Sequence, residues 1–426
     1  MMNFHKMRNF PKTGYWTSVF GKMSVSSATK LLNGVRVLDM SRILAGPFAS
    51  MILGDMGAEI VKIEHPEVGD GTREWGPPFL GSESAYFISI NRNKKSVGVN
   101  IKHEKGADII KKLVKKSDVL MENYIPGQLD RMGFGYEEIK QINESLVYCS
   151  ITGYGSDGPY ATRAGYDVIA SSVAGLNHIT GPENGDPCRA GVAMTDMSTG
   201  LFAHGAILAA LLHREKTGLG QKIECNLLST QVSMLTHVAS SYLNAGLEAK
   251  RWGTGHASIV PYQSFKTKDG KFLTVGAGNN KHFEKLCQLL KVEDLITNNK
   301  FRDNKDRVVN RVELIGILSE IFQAKTMEDW LVILEDCGFP YGPINNMEET
   351  FNDPQVLHNK MIMEMDHPAC GRNIRIPAPP VRYSSHSYLD ATSPPTLGQH
   401  TREVLSNLVD FTDEQIDELV ASGVVK

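Results

Sequence analysis

The sequence predicts an α/β protein: an open, Rossmann-like parallel sheet in a large domain, with a smaller α+β domain set into it. Three observations carry that prediction. Residues 35–64 read as strand, helix and strand. The same alternation recurs up to about residue 213, and after about residue 250 the texture changes to a hairpin followed by helices.

Residues 35–39 are a short β-branched run after Gly34, the pattern of a buried strand. Gly46 and Pro47 place proline at a helix start, where its missing N–H costs nothing. Phe48, Met51, Ile52 and Leu53 follow at helical spacing, and Gly57 closes that helix. Residues 59–64 form a second strand, stopped by Pro66. Two strands joined through a helix in about 30 residues make a βαβ unit, which requires a parallel sheet. A helix over 104–116 carries Ile109, Ile110, Leu113 and Val114 on one face, and a strand follows at 118–121. A helix at 136–142 and a strand at 146–151 come next, then helices at 166–176 and 197–213. The last of these is apolar nearly all round, which predicts a central position. Strands at 261–266 and 272–275 flank the turn of Lys268, Asp269 and Gly270, with helices at 281–291, 310–323 and 326–336 after them. An amphipathic helix at 413–422 uses Ile416, Leu419 and Val420. The predicted division is a leader at 1–33, the large domain at 34–249, the small domain at 250–345, and a segment at 346–426 returning to the large domain.

A chain of 426 residues can bury a core without disulfide staples. Lys+Arg 45 against Asp+Glu 48 leaves a net charge of -3, which excludes a strongly basic nucleic-acid binder. Unbroken apolar runs such as 206–212 fall short of the roughly 20 residues a membrane helix needs. Neither nucleic acid nor membrane is an expected partner. The cysteines are scattered without a C-x-x-C pair, so neither bridges nor zinc are expected.

The leader differs from the rest. Between Met1 and Gly34 there is no Asp or Glu, while Lys6, Arg8, Lys12, Lys22 and Lys30 mix with Phe4, Phe10, Trp16 and Phe20, and serines cluster at Ser24, Ser26 and Ser27. That is the composition of a mitochondrial transit peptide and predicts the matrix. A basic tail on a cytosolic enzyme is the alternative, since Pro11 and Gly14 interrupt any long helix.

Gly153, Gly155 and Gly158 match G-x-G-x-x-G after a predicted strand, but Pro159 and Tyr160 turn the chain before the next helix begins. A dinucleotide fingerprint needs its third glycine inside that helix, so the match is weak. No G-x-S-x-G, H-E-x-x-H or Walker sequence is present. Asp196 precedes the long apolar helix. There it serves either as an N-cap or as a nucleophile that the helix N-terminus keeps ionised, and the residue pattern leaves both open.

Further blocks carry a resemblance. They are the 35–39 strand with Leu44, Ala45, Gly46 and Pro47; Gly57, Ala58 and the 59–64 strand; and Asn91, Arg92, Asn93, Lys94, Lys95 and Ser96. Glu122, Asn123 and Tyr124 with Pro126 and Gly127, then Arg131, Met132 and Gly133, and Asp196 with Gly200 and Gly218 continue it. In this order and spacing, from Gly34 to Val424, the chain resembles the class III CoA-transferases. Arg163, Ala164, Gly165, Tyr166 and Asp167, the loop 178–186, and 341–346 resemble the branch that moves CoA from succinyl-CoA to glutarate or hydroxymethylglutarate.

The resemblance implies an interlocked homodimer acting on acyl-CoA and dicarboxylic acids, with the coenzyme A thioester as substrate and no tightly bound cofactor or metal. It puts the nucleophile, which forms an aspartyl anhydride, at Asp196. It puts CoA contacts at Ile43, Leu44, Ala45, Val99, Lys102, Asn123, Tyr124, Arg131 and Tyr166. The acceptor's distal carboxylate needs a cation; Arg42 and Arg163 are the candidates retained, ahead of Arg189 and Arg251. Two other activities stand beside transfer: α-methylacyl-CoA racemisation and CoA binding without catalysis. The related racemases carry histidine where this chain has Tyr166, and tyrosine's ordinary pKa, about 10, makes it a poor base for a thioester α-proton.

Overall fold

The structure is a computed structural model that describes residues 30–384 and 391–426; the basic leader before Lys30 lies outside the described residues. Strand β1 (Arg36–Asp39), helix α1 (Ala45–Asp55) and strand β2 (Glu59–Glu64) form the first βαβ unit. Helix α2 (Ala85–Ile90), strand β3 (Lys94–Gly98), helix α3 (Glu104–Lys115) and strand β4 (Val119–Glu122) follow. Helix α4 (Tyr136–Ile142), strand β5 (Val147–Thr152), helices α5 (Asp167–Val173) and α6 (Met194–Thr217), strand β6 (Lys222–Asn226) and helix α7 (Leu227–Met234) complete the run. The six-stranded sheet has the order β3-β2-β1-β4-β5-β6, every pairing parallel. Strand order reverses between β1 and β4, which opens a crevice beyond their carboxyl ends.

Both sheet faces are covered, which explains the unbroken apolar runs in its strands. One face joins Val37, Ile60, Val119, Met121 and Val147 to Ala45, Ala49 and Leu53 of α1 and Ala203, Ile207 and Ala210 of α6. The other joins Leu38, Val61, Val97 and Leu120 to Ile109 and Leu113 of α3 and to Val404, Leu405, Ile416, Leu419, Val424 and Val425 near the C-terminus. Strands β7 (Tyr262–Lys266), β8 (Phe272–Gly276) and β9 (Tyr341–Pro343) make a separate antiparallel sheet in the order β9-β8-β7. Helices α8 (Asn280–Leu290), α9 (Arg311–Phe322) and α10 (Met327–Leu334) build its core with Phe265, Phe283, Leu318 and Trp330. Helices α11 (Thr401–Val409) and α12 (Asp413–Ala421) end the chain.

Two elements depart from expectation. Strand β3, Lys-Lys-Ser-Val-Gly, has no apolar run, yet Lys94 is buried within it. Helix α6 begins at Met194, earlier than expected, because the Asp167 carboxylate accepts the backbone N–H of Thr195 at 2.8 Å and of Asp196 at 3.1 Å. Nor is α6 buried all round. Thr195, Ser198, Thr199, Gly200 and Ala203 face inward, while Leu201, Phe202 and Leu212 are exposed. At 24 residues α6 has the length and apolarity of a membrane-crossing helix, yet its buried face, small and polar at first and then carrying Ile207 and Leu211, packs inside the protein, in contact with α1.

Candidate active site

A cavity of about 230 Å³ lies at the strand-order reversal. The turn after β1 supplies Arg42, Ile43, Leu44 and Ala45; the segment after β4 supplies Asn123, Tyr124, Ile125 and Pro126. The end of β5 gives Ile151, Thr152 and Gly153, and Arg163, Ala164, Gly165 and Tyr166 face them with Asp196. Gly153 and Gly165 allow this closure: a Cβ on Gly153 would lie 2.7 Å from Gly165 Cα. The first glycine of the G-x-G-x-x-G match therefore admits a second chain segment, and the next helix, α5, starts only at Asp167.

Asp196 does not cap its helix, contrary to one expectation for it. Ala193 occupies the N-cap position, Asp196 sits in the first turn, and the capping acceptor comes from Asp167 on α5. That leaves the Asp196 carboxylate free of hydrogen bonds among the described residues. The ionising effect of the helix N-terminus is opposed by its surroundings. Burial, with the neighbouring Asp167 carboxylate, pushes Asp196 up to about 7. Tyr86, which sequence reasoning missed, senses the same field: burial and then the Asp196, Asp167 and Asp70 carboxylates push its phenol up to about 12. It packs with Ile43, Leu44, Met51 and Met197, and meets Trp75 edge-on at 5.2 Å.

The structure thus brings together Ile43, Leu44, Ala45, Asn123, Tyr124, Tyr166 and Asp196 with Arg42 and Arg163. Asn123 clamps the turn: its Oδ1 accepts the Arg42 N–H at 2.9 Å and its Nδ2 donates to the Arg42 carbonyl at 2.7 Å. The Arg42 guanidinium lies over Tyr124 and that of Arg163 over Tyr160; neither pairs with a carboxylate among the described residues. Other predicted positions lie outside the cavity wall. Val99 is buried in the core and bridges Val425, while Lys102 and Arg131 are exposed on the flanks. Arg251 spends its guanidinium on the carbonyls of Gly185 and His178, and Arg189 is exposed elsewhere.

The cavity combines a carboxylate ready to lose or hold a proton near neutrality, unpaired cations, and a wall of backbone and apolar groups. That set suits acyl transfer to a carboxylate nucleophile. Comparison with known proteins points the same way. The sequence profile of CoA-transferase family III matches residues 32–401. Human succinyl-CoA:glutarate CoA-transferase is 56% identical over 97% of this chain and 93% of its own length. Succinate–glutarate CoA-transferase of Agrobacterium fabrum is 38% identical, over 88% of this chain and 95% of its own. Among solved structures, a CAIB/BAIF family protein from Brucella suis superposes with a TM-score of 0.81 at 37% identity, covering 89% of this chain and 100% of that one. The parallel sheet, the crevice at its reversal and these matches have one reading: the chain belongs to CoA-transferase family III and is a class III CoA-transferase.

Proposed function

We propose that this enzyme moves CoA from succinyl-CoA to glutarate or a related dicarboxylate such as hydroxymethylglutarate, with Asp196 as nucleophile. The observation that carries the reading is the Asp196 carboxylate, unpartnered, in the same cavity wall as the residues 42–45 and 123–126. An Asp196 oxygen attacks the thioester carbonyl carbon, the C–S bond breaks, and CoA leaves as thiolate, giving a succinyl–aspartyl anhydride. The thiolate then attacks the aspartyl carbonyl and expels succinate, leaving an aspartyl–CoA thioester. Acceptor carboxylate displaces CoA from it as a new anhydride, and the thiolate takes the acyl group. One thioester replaces another and one carboxylate another, so the chemistry calls on no redox cofactor.

CoA enters over Ile43, Leu44, Ala45, Asn123, Tyr124 and Tyr166, with Val99, Lys102 and Arg131 outside the cavity as a more distant set. Arg42 and Arg163 are the cations offered to the acceptor's distal carboxylate. The working form is a homodimer, favoured by the exposed apolar side chains Leu201, Phe202 and Leu212 on α6. The acid-free leader favours the mitochondrial matrix. The names of the relatives support the donor and acceptor.

The test is a panel of dicarboxylates offered with succinyl-CoA to wild type and Asp196→Asn. Transfer confined to wild type, strongest for five-carbon acceptors, supports the reading; transfer by Asp196→Asn overturns the nucleophile. Incubation with acyl-CoA in deuterated water separates the racemase alternative, because transfer leaves the α-hydrogen in place.

A further inference from the structure

Beneath the cavity runs a buried set of charges that anhydride chemistry does not use. Lys62, in the middle of β2, has no exposed side-chain surface, and neither has its partner Asp70. A lone buried ammonium is strongly disfavoured, so its contacts define what it holds. Lys62 Nζ donates to Asp70 Oδ2 at 2.9 Å and to the Ser41 carbonyl at 2.9 Å. Both Asp70 oxygens accept the Ile43 N–H at 3.2 Å, and Oδ1 also accepts the Thr72 N–H at 3.0 Å. Glu64 fixes the loop in turn, accepting the Asp70 N–H at 2.9 Å while paired with Arg73.

The held segment is an unusual one. Ile43 has φ 73°, in the left-handed region that a β-branched residue adopts only when its surroundings over-determine it. Each backbone polar group that tethers the turn goes to a side chain: Ser41 N–H to Asp39, Ser41 O to Lys62, Arg42 N–H and O to Asn123, and Ile43 N–H to Asp70. Directly after it, Leu44 and Ile43 pack with Ala193 and Met197, which flank Asp196. The brace therefore reaches from β2 through the turn to the helix that carries the nucleophile.

We propose that Lys62 and Asp70 are positioning residues: together they lock the 41–43 turn in its left-handed form and so set the wall against which acyl-CoA is held. The inference rests on the cavity being the acyl-CoA site. The charge state agrees with the geometry. Burial pushes Lys62 down and Asp70 up, but the carboxylates around Lys62 and the ammonium beside Asp70 outweigh it, raising Lys62 and holding Asp70 at about 2.

The test uses Asp70→Asn, which preserves shape and one acceptor for Ile43 N–H, and the double variant Lys62→Gln/Asp70→Asn, which leaves no buried unpaired charge. KM for succinyl-CoA and for glutarate, and hydrogen–deuterium exchange of the peptide spanning residues 41–48, are measured in each. A positioning role predicts a KM for succinyl-CoA raised about tenfold, a KM for glutarate raised as well because its proposed cation Arg42 sits in the same turn, and faster exchange confined to that peptide. A residue serving stability alone would lower the melting temperature and leave both KM values and that exchange pattern as in wild type, which overturns the proposal. Should Asp196→Asn retain transfer, the site assignment fails. Should Asp196→Asn be inactive while the succinyl-CoA KM of Asp70→Asn is unchanged, only the brace fails.

Discussion

Of the two tasks between which the sequence left Asp196 open, Asp167 takes the cap. Asp167 caps α6 from outside and thereby leaves Asp196 unsatisfied, half-buried and beside a like charge. The consequence is a pH dependence. As the proposed nucleophile Asp196 must be ionised, so kcat/KM for succinyl-CoA should rise through about pH 7. Asp167→Asn keeps a capping oxygen but removes the like charge, and should move that limb to lower pH in a pH–rate profile. Stability should run the opposite way. The folded pKa lies above the unfolded carboxylate value, so the folded state holds the extra proton between about pH 4 and pH 7. The associated stability is complete below pH 4 and lost as pH rises through 7. Asp196→Asn should therefore melt at a higher temperature than wild type at pH 8, with the gap closing at pH 4, as scanning calorimetry would show.

At the scale of elements, α1 and α6 form the contact that puts the cavity wall beside Asp196. A Cβ on Gly200 would lie 2.7 Å from the Ala45 carbonyl oxygen, so the helices approach through that missing side chain. Gly200→Val should part them at a cost of about 2 kcal/mol in chemical denaturation and reduce kcat, although it touches no substrate. Elements whose burial rests on apolar runs were legible in the sequence: β1, β2, α3 and α4 fall where periodicity puts them. Strand β3 was not, because Lys94 and Lys95 stand where an apolar pair belongs; the burial of Lys94 depends on Asp39, and the half-buried Lys95 pairs with Glu59, both from other strands. The cavity was legible in part. Asn123 and Tyr124 follow a strand end in sequence, whereas the roles of Asp167 and Tyr86 arise from contacts across the fold that no local pattern records.

For the whole molecule, the exposed Leu201, Phe202 and Leu212 on α6 set the expectation of a dimer of the 47.0 kDa chain. Sedimentation should give twice the chain mass for wild type, and Phe202→Asp should shift it toward one chain while lowering activity. The C-terminus gives a second expectation. Val424 and Val425 are buried, the Asn100 N–H donates to the Val424 carbonyl at 2.8 Å, and the Lys426 N–H donates to the Gly98 carbonyl at 3.1 Å. Deleting residues 423–426 removes two buried valines and both bonds, a loss of about 4 kcal/mol that urea unfolding would measure.

That tail seals the outer strand of the sheet, and it comes from far along the chain. Ser96 hydrogen-bonds to His400, 304 residues further on, so the strand's edge is covered only by residues from far beyond it in the chain. During synthesis the N-terminal half emerges with β3 bare and the apolar sockets for α11 and α12 empty, a state that invites pairing with neighbouring nascent chains. Docking of these distant residues is thus also what shields this sheet edge from pairing with other copies of the chain.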